Sequence, residues 1–255
     1  MMVVQDERII SLASKDKRLD GRKPDEFRKL EVEKNPIENA EGSARVKLGK
    51  TDVLVGVKLG VGEPFPDKPN DGILIVTAEL SPLASPKFEL GPPRENAIEL
   101  ARVVDRGIRE SKMIDTEKLC IKKKELVWTI FVDISIINHD GNLIDAAALG
   151  ATTALVNAMM PEYDGEKVNI EKKTGKLPIT CQPIAVTLRK IAGKLFVDPS
   201  AEEEAVKGAR LTVTTNEKGN ICALQKGETI PLTLDEVKQA FDISVKKGKE
   251  LRKVL

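Results

Sequence analysis

The stretch 137-INHDGNLIDAAALGATTAL-155 decides the fold. A β-branched segment runs into a turn at Asp140-Gly141-Asn142, and a helix of small and apolar residues follows. A helix start of this kind offers unpaired backbone N–H groups and the positive end of the peptide dipoles, which is how proteins hold phosphate. Such a cradle also wants a basic or hydroxyl side chain, yet Asn142 and Leu143 follow Gly141. The run Leu143 to Met160 comes near the lower length for a membrane span, but Asp145, Thr152, Thr153 and Asn157 interrupt it. Its alanines and glycine let neighbouring backbones approach closely, so it predicts a helix buried on most sides between layers of a soluble fold, with no transmembrane segment.

Working outward, LVWTIFVDISII at 126–137 puts Trp128, Ile130, Val132, Ile134 and Ile136 on one face of a strand. Upstream, SARVKL, Gly49-Lys50 and TDVLVGVKLGV read as a hairpin, with glycine at the first turn position. The "GKT" inside it is a false P-loop, because Ala44 stands where the cradle needs glycine and a strand follows where it needs a helix. GILIVTAEL at 72–80 is another strand, and a proline-bearing loop through Gly91-Pro92-Pro93 leads into a helix over 95–111. Further strands are predicted near 182–191, 194–198, 209–215 and 220–225, before a last amphipathic helix with Thr233 as N-cap and basic residues in its final turns. A leading helix over 5–17, an extended arm over 20–27 and a loop DPSAEEE at 198–204 complete the plan. The class is α+β: one body over 1–255, made of two α/β halves (about 20–118 and 119–255) with mixed sheets and packed helices.

Basic and acidic residues nearly cancel, 41 against 40, so any site for nucleic acid must be a local patch rather than an overall field. Three cysteines, Cys120, Cys181 and Cys222, lie far apart without a CxxC pair, and the N-terminus is not signal-like; both fit a reducing, cytoplasmic setting. The single histidine, His139, removes most zinc sites and nucleophile–base pairs and reads as a turn residue. No metal site, cofactor or catalytic residue is assigned. Aromatic residues at 3% argue against a base-stacking platform, so RNA would be held by its backbone.

The helix over 95–111 carries the patch. Ala97, Leu100, Ala101, Val103, Val104 and Ile108 form its apolar side, and Arg102, Arg106 and Arg109 a stripe opposite. Arg102 and Arg106 stand about 6 Å apart along the axis, close to the spacing of successive phosphates. Arg94, before the helix, is placed to reach the same anion. The plainer reading is a salt-bridged surface, with Asp105–Arg109 and Arg106–Glu110 as helix ion pairs and Arg94 as a solvated loop residue. Lys122, Lys123 and Lys124 read as a protected strand edge.

Five motifs occur in order: DGR at 20–22, GSA at 42–44, LGKTDVLVGVKLG, ELGPPRENAIELAR at 89–102, and NHDGNLIDAAALGA. Together they resemble the ribonuclease PH family over nearly the whole chain, and within it the non-catalytic ribonuclease-PH-like subunit of the archaeal exosome core. Active members of that family shorten RNA from its 3′ end, inorganic phosphate attacking the terminal linkage and releasing a nucleoside diphosphate. Against their pattern this sequence lacks the arginine expected at Leu143, has Arg210 where an aspartate is expected in KGARLTV, and keeps Arg94 alone of a pair of arginines. The resemblance therefore implies a chain without catalytic residues of its own, in a three-plus-three ring with a catalytic paralogue that uses the phosphate. It also implies RNA-binding cap subunits, single-stranded RNA as substrate, no membrane, and Arg102 and Arg106, with Arg94, as RNA contacts. A free-standing phosphorolytic ribonuclease and a purely structural ring subunit are the alternatives.

Overall fold

The structure, a computed structural model, describes residues 2–255, with side chains from Asp6 onward; residue 1 of the expected 1–255 body lies outside the described residues. The chain runs α1 (Met2–Ala13), β1 (Leu30–Lys34), β2 (Gly42–Leu48), β3 (Thr51–Gly62), β4 (Ile73–Leu80), α2 (Glu95–Glu110), β5 (Cys120–Lys122), β6 (Leu126–Asn138) and α3 (Leu143–Asn157). It continues through β7 (Met159–Tyr163), β8 (Val168–Lys176), β9 (Ile184–Ile191), β10 (Lys194–Val197), α4 (Ala201–Ala205), β11 (Ala209–Thr215), β12 (Ile221–Gly227) and α5 (Leu234–Leu251).

The first sheet has the order β1-β2-β3-β6-β4, with β5 on β6; the second is β10-β9-β11-β12, and β7 pairs β8 separately. Only the β4–β6 pair is parallel in the first sheet, which makes it mixed, whereas the second is antiparallel throughout. The hairpin forms as its sequence predicts: Leu48 faces Thr51, and Gly49 takes φ +61° in the two-residue turn. Alternation along β3 buries Val53, Val55, Val57 and Leu59, and β6 buries Trp128, Ile130, Val132, Ile134 and Ile136.

Helix α3 packs against β2 and β3 of one sheet and β9 of the other. Its small residues are required there. Val55 Cγ2 would lie 2.8 Å from a Cβ at Gly150, and Ala154 O 2.4 Å from one at Gly42. Thr152 Oγ1 donates to Pro183 O (3.0 Å), which satisfies a polar group inside this contact. One apolar cluster runs from β2, β3 and β6 through α3 to β9 and β11, so both sheets share a core.

Several expectations need correction. The leading helix ends at Ala13 and not at 17, because Asp16 turns left-handed (φ +55°) and Lys17 N–H closes back on Leu12 O (3.0 Å). The first sheet takes β5 and β6, so it runs past the expected division at 118/119. The apolar run stops being helical at Asn157, where the N–H of Met159 bonds Glu41 O (2.8 Å) and starts β7. The expected loop at 198–204 contains α4, closed by a capping box between Ser200 and Glu203. Strands β1, β7 and β8 have no counterpart in the sequence reading, and of the three lysines read as a strand edge Lys122 lies in β5 while Lys123 and Lys124 stand in the turn to β6.

The segment read as an extended arm is bolted to the second half. Asp198, whose side chain is fully buried, accepts from Arg28 Nη2 (2.7 Å), Arg28 Nε (2.9 Å), the Arg28 N–H (2.8 Å) and Arg22 Nη1 (3.0 Å). Buried Arg18 donates to Glu203 Oε1 (2.8 Å) and to the carbonyls of Val197 and Asp198 (2.8 Å each). Removing one partner of such a pair strands the other charge in the interior. Asp198→Ala should lower unfolding stability by about 3–5 kcal/mol, read from urea denaturation.

Candidate nucleic-acid interface

The turn before α3 is tight for a local reason. A Cβ on Gly141 (φ +86°) would lie 2.4 Å from Ala201 N, so only glycine fits against the start of α4. Asn142 follows in the left-handed region (φ 53°, ψ 47°), which asparagine tolerates better than most residues. Thr51 Oγ1 fixes the turn, donating to Gly141 O (2.7 Å) and accepting from the Asp140 N–H (3.1 Å).

Every donor of Asn142 is then spent on the chain's own carboxylates. Its backbone N–H donates to Glu204 Oε1 (2.9 Å), and its side-chain amide donates to Asp145 Oδ2 and Asp198 Oδ1 (2.8 Å each). The sequence left backbone donors at this helix start open to an anion; the structure fills that place with Glu204, carried in by α4. Leu143, Glu204, Arg210, Phe88 and His139 are among the residues lining a small cavity of about 180 Å³ beside it.

Electrostatics follow from this enclosure. Burial pushes the Asp145 carboxyl up to about 7, against hydrogen bonds from Asn142 and Thr187, with the Asp198 charge adding to the rise. Burial also raises Glu204, opposed by the Asn142 N–H and by the charges of Arg189, Arg210 and Arg28. His139 is more than a turn residue: it stacks on Phe88 with ring centroids 5.3 Å apart, and burial, helped by Lys87, lowers its pKa. Among the described residues no cluster of His, Cys, Asp and Glu is arranged to hold a metal ion.

Arg210, on β11, does not stand free where an acid was expected. Its guanidinium bonds Glu99 Oε1 of α2, and Gln225 Nε2 of β12 donates to the same oxygen (3.2 Å). The charge reversal is thus neutralised across the seam between helix and second sheet.

Helix α2 buries Ala97, Leu100, Val103, Val104, Gly107 and Ile108, leaving the arginine stripe outside. Arg102 and Arg106 are exposed and line one groove of about 380 Å³, whose floor is Thr212, Thr214, Ala223 and Leu224 of β11 and β12. Of the two helix ion pairs in the plainer reading, Asp105–Arg109 forms (2.8 Å), and Arg109 also donates to Leu74 O (3.1 Å). Among the described residues Arg106 does not pair with Glu110. Arg94 is the N-cap residue of α2, bridges to Glu89 (2.5 Å) and lines a different groove, one of about 340 Å³. The structure therefore brings together two of the three arginines.

Sequence reasoning missed Glu204, Asp198, Arg28 and Glu99. A signal existed for the first two: the S-x-x-E spacing at 200–203 marks a helix start and so predicts that the acidic run is ordered.

Residues 26–161 match domain 1 of the 3′ exoribonuclease family, and residues 181–247 match domain 2. The chain is 49% identical to the exosome complex component Rrp42 of Thermococcus kodakarensis, over 99% of this chain and 94% of that protein. It is 50% identical to the protein of the same name from Methanosarcina mazei, over 96% and 90%. A chain in the structure of the Archaeoglobus fulgidus exosome with RNA bound to the active site superposes with a TM-score of 0.93 at 46% identity, over 99% of this chain and 98% of that one.

Two measurements follow. Asp145 holds its proton up to about pH 7 in the folded chain, and Glu204 is shifted in the same direction, so through Asp145 the folded chain binds more protons than the unfolded one between about pH 4 and about pH 7, and stability falls as pH rises through that window. Urea midpoints should drop from about pH 5 to about pH 8, and drop less in Asp145→Asn. Shortening Glu204 should empty the helix start: inorganic phosphate should raise the Tm of Glu204→Ala and leave the native Tm unchanged.

Proposed function

As the chain belongs to the 3′ exoribonuclease family, we propose that it is a non-catalytic, RNA-gripping subunit of a cytoplasmic exosome ring. In this reading three copies alternate with three copies of a catalytic paralogue, RNA-binding caps sit on the ring, and the paralogue alone uses inorganic phosphate. Support for a place in such a ring comes from relatives named as exosome components that match almost end to end. The solved neighbour with RNA at its active site supports RNA as the ligand.

The observation that carries the non-catalytic role is the occupied helix start. Phosphorolysis needs a phosphate oxygen held beside the terminal linkage by cations and N–H donors, so that it attacks the phosphorus of the last nucleotide while the 3′ oxygen of the preceding nucleotide leaves and takes up a proton. In this chain the N–H of Asn142, the N-cap residue of α3, is satisfied by Glu204, whose carboxyl stands at the helix start, and the next side chain is the neutral Leu143. A second anion at that point would meet a carboxylate. The position where an acid would handle the proton holds Arg210, itself paired with Glu99.

The RNA role rests on Arg102 and Arg106. Two exposed guanidiniums one helical turn apart offer charge-assisted, sequence-independent contacts to successive phosphates. The groove beneath them is lined by threonine and aliphatic side chains, with Gln225 and the carboxylates of Glu95 and Glu99 beside them, and no aromatic residue is among its lining, which suits a backbone grip rather than base stacking.

The purified chain with RNA and phosphate should release no nucleoside diphosphate, and adding the catalytic paralogue should restore turnover. Robust turnover by the chain alone would establish a free-standing phosphorolytic enzyme instead. In the assembled ring, Arg102→Glu with Arg106→Glu should weaken RNA capture by about tenfold or more. It should also flatten the log–log salt dependence by about 1.4, the share of two phosphate contacts, with assembly intact. Unchanged affinity in that double variant would leave a purely structural subunit.

A further inference from the structure

Among the described residues neither arginine of the grip has an ion-pair partner, and a surface helix this rich in acids makes that a condition to be explained. Residues three or four apart on a helix are neighbours. Around Arg102 these are Ile98, Glu99, Asp105 and Arg106, so two carboxylates stand within ordinary reach of its guanidinium. An ion pair with either would cancel its charge and hold it down against the helix. Neither forms. Asp105 is held by Arg109, whose guanidinium donates to both of its carboxylate oxygens (2.8 and 3.1 Å). Glu99 points across the seam to Arg210 and Gln225.

We propose that Arg210 is a positioning residue for RNA binding: it draws Glu99 onto the second sheet and so keeps Arg102 free to hold a phosphate. The proposal rests on the reading of Arg102 and Arg106 as the RNA grip. Three features of the site favour this direction of pairing. The Arg210–Glu99 pair is sheltered, with side chains 20% and 35% exposed, whereas a pair with Arg102 would lie open to water and salt. Gln225 adds a second donor to the same Glu99 oxygen, which Arg102 lacks a counterpart for on the helix surface. Room for the guanidinium is built into the sheet: Arg210 lies opposite Gly227, where a Cβ would come within 2.7 Å of Arg210 Nη2.

The residue that stands in place of an acid is thus given a use. As a cation it cannot serve as a base, and as the partner of Glu99 it keeps a neighbouring cation available. Without Arg210, Glu99 is left with a single neutral donor in Gln225 and the positive Arg102 one turn away. The helix pair is then the better alternative.

The test is a mutant cycle in the ring assembled with the catalytic paralogue, with assembly checked by size-exclusion chromatography and affinity measured for a short single-stranded RNA. Arg210→Ala should weaken binding by about three- to tenfold, the order expected for loss of one phosphate contact. Arg210→Lys, which still pairs with Glu99, should bind as the native ring does, and adding Glu99→Gln to Arg210→Ala should restore native affinity. In an Arg102→Ala background, Arg210→Ala should cost less than about twofold, because the contact it protects is already gone. Native affinity in Arg210→Ala overturns the proposal. So does a loss of equal size in the Arg102→Ala background, which would mean that Arg210 acts only through the bulk charge of the groove. Should Arg210→Ala fail to assemble, Arg210→Gln serves in the same cycle with the same outcomes. A ring whose RNA affinity ignores Arg102→Glu with Arg106→Glu would instead defeat the grip itself, so the two failures are told apart.

Discussion

A fully buried carboxylate, Asp198, is the constraint around which the molecule closes. A charge out of water is tolerated only when its lone pairs are met by donors. Asp198 obtains these from the arm before the first sheet, through Arg22 and Arg28, and from the start of α3, through Asn142. One side chain in the second half thereby fixes the path of the N-terminal segment and the entry angle of the central helix, while α4 is held beside it by Arg18 on Glu203 and the Asn142 N–H on Glu204. The sharp turn at Gly141 and the left-handed Asn142 are what that geometry demands of the backbone.

From this knot the functional character follows. Because α4 is fixed beside α3, Glu204 reaches the N–H of the N-cap residue Asn142 and stands at the helix start as a bound anion would. The site keeps the shape of an anion cradle and already contains its negative charge. A second substitution is balanced in the same way, since Arg210 is neutralised by Glu99 rather than left exposed in the cavity. The chain therefore has an enclosed, internally compensated pocket on one side of α2 and two uncompensated arginines on the other, although its overall charge is nearly zero. In the proposed function, a ligand with a repeated negative charge is drawn to the second place and excluded from the first.

How much of this was legible depended on period and length. The hairpin of β2 and β3, the long strand β6 and helices α2 and α5 have strong repeats and chain punctuation, α3 is marked by its unbroken run of small and apolar residues, and all appear where the sequence puts them, with the capping box at Thr233 and Glu236 as a clear instance. Strand β8, VNIEKKTGK, is mostly exposed and polar, so it has no alternation to read. Strands β1 and β5 are short edge segments, and α4 spans five residues, too few for a helical pattern. The expected halves failed at their boundary because β6 takes its place between β3 and β4 by long-range pairing, which leaves no local mark.

The sequence by itself determined what is missing: at Leu143 there is no cation, at Arg210 no acid, and in the single histidine no partner for nucleophilic chemistry. It also determined the arginine stripe, because a helix with one apolar side must present its other side to solvent. Only the tertiary structure decided what replaces the missing groups and which arginines stay free. Glu204 meets Asn142 across 62 residues, and Arg210 meets Glu99 across 111. Pairings of that separation depend on how the sheets and helices dock, since a charge finds its partner in space and not along the chain.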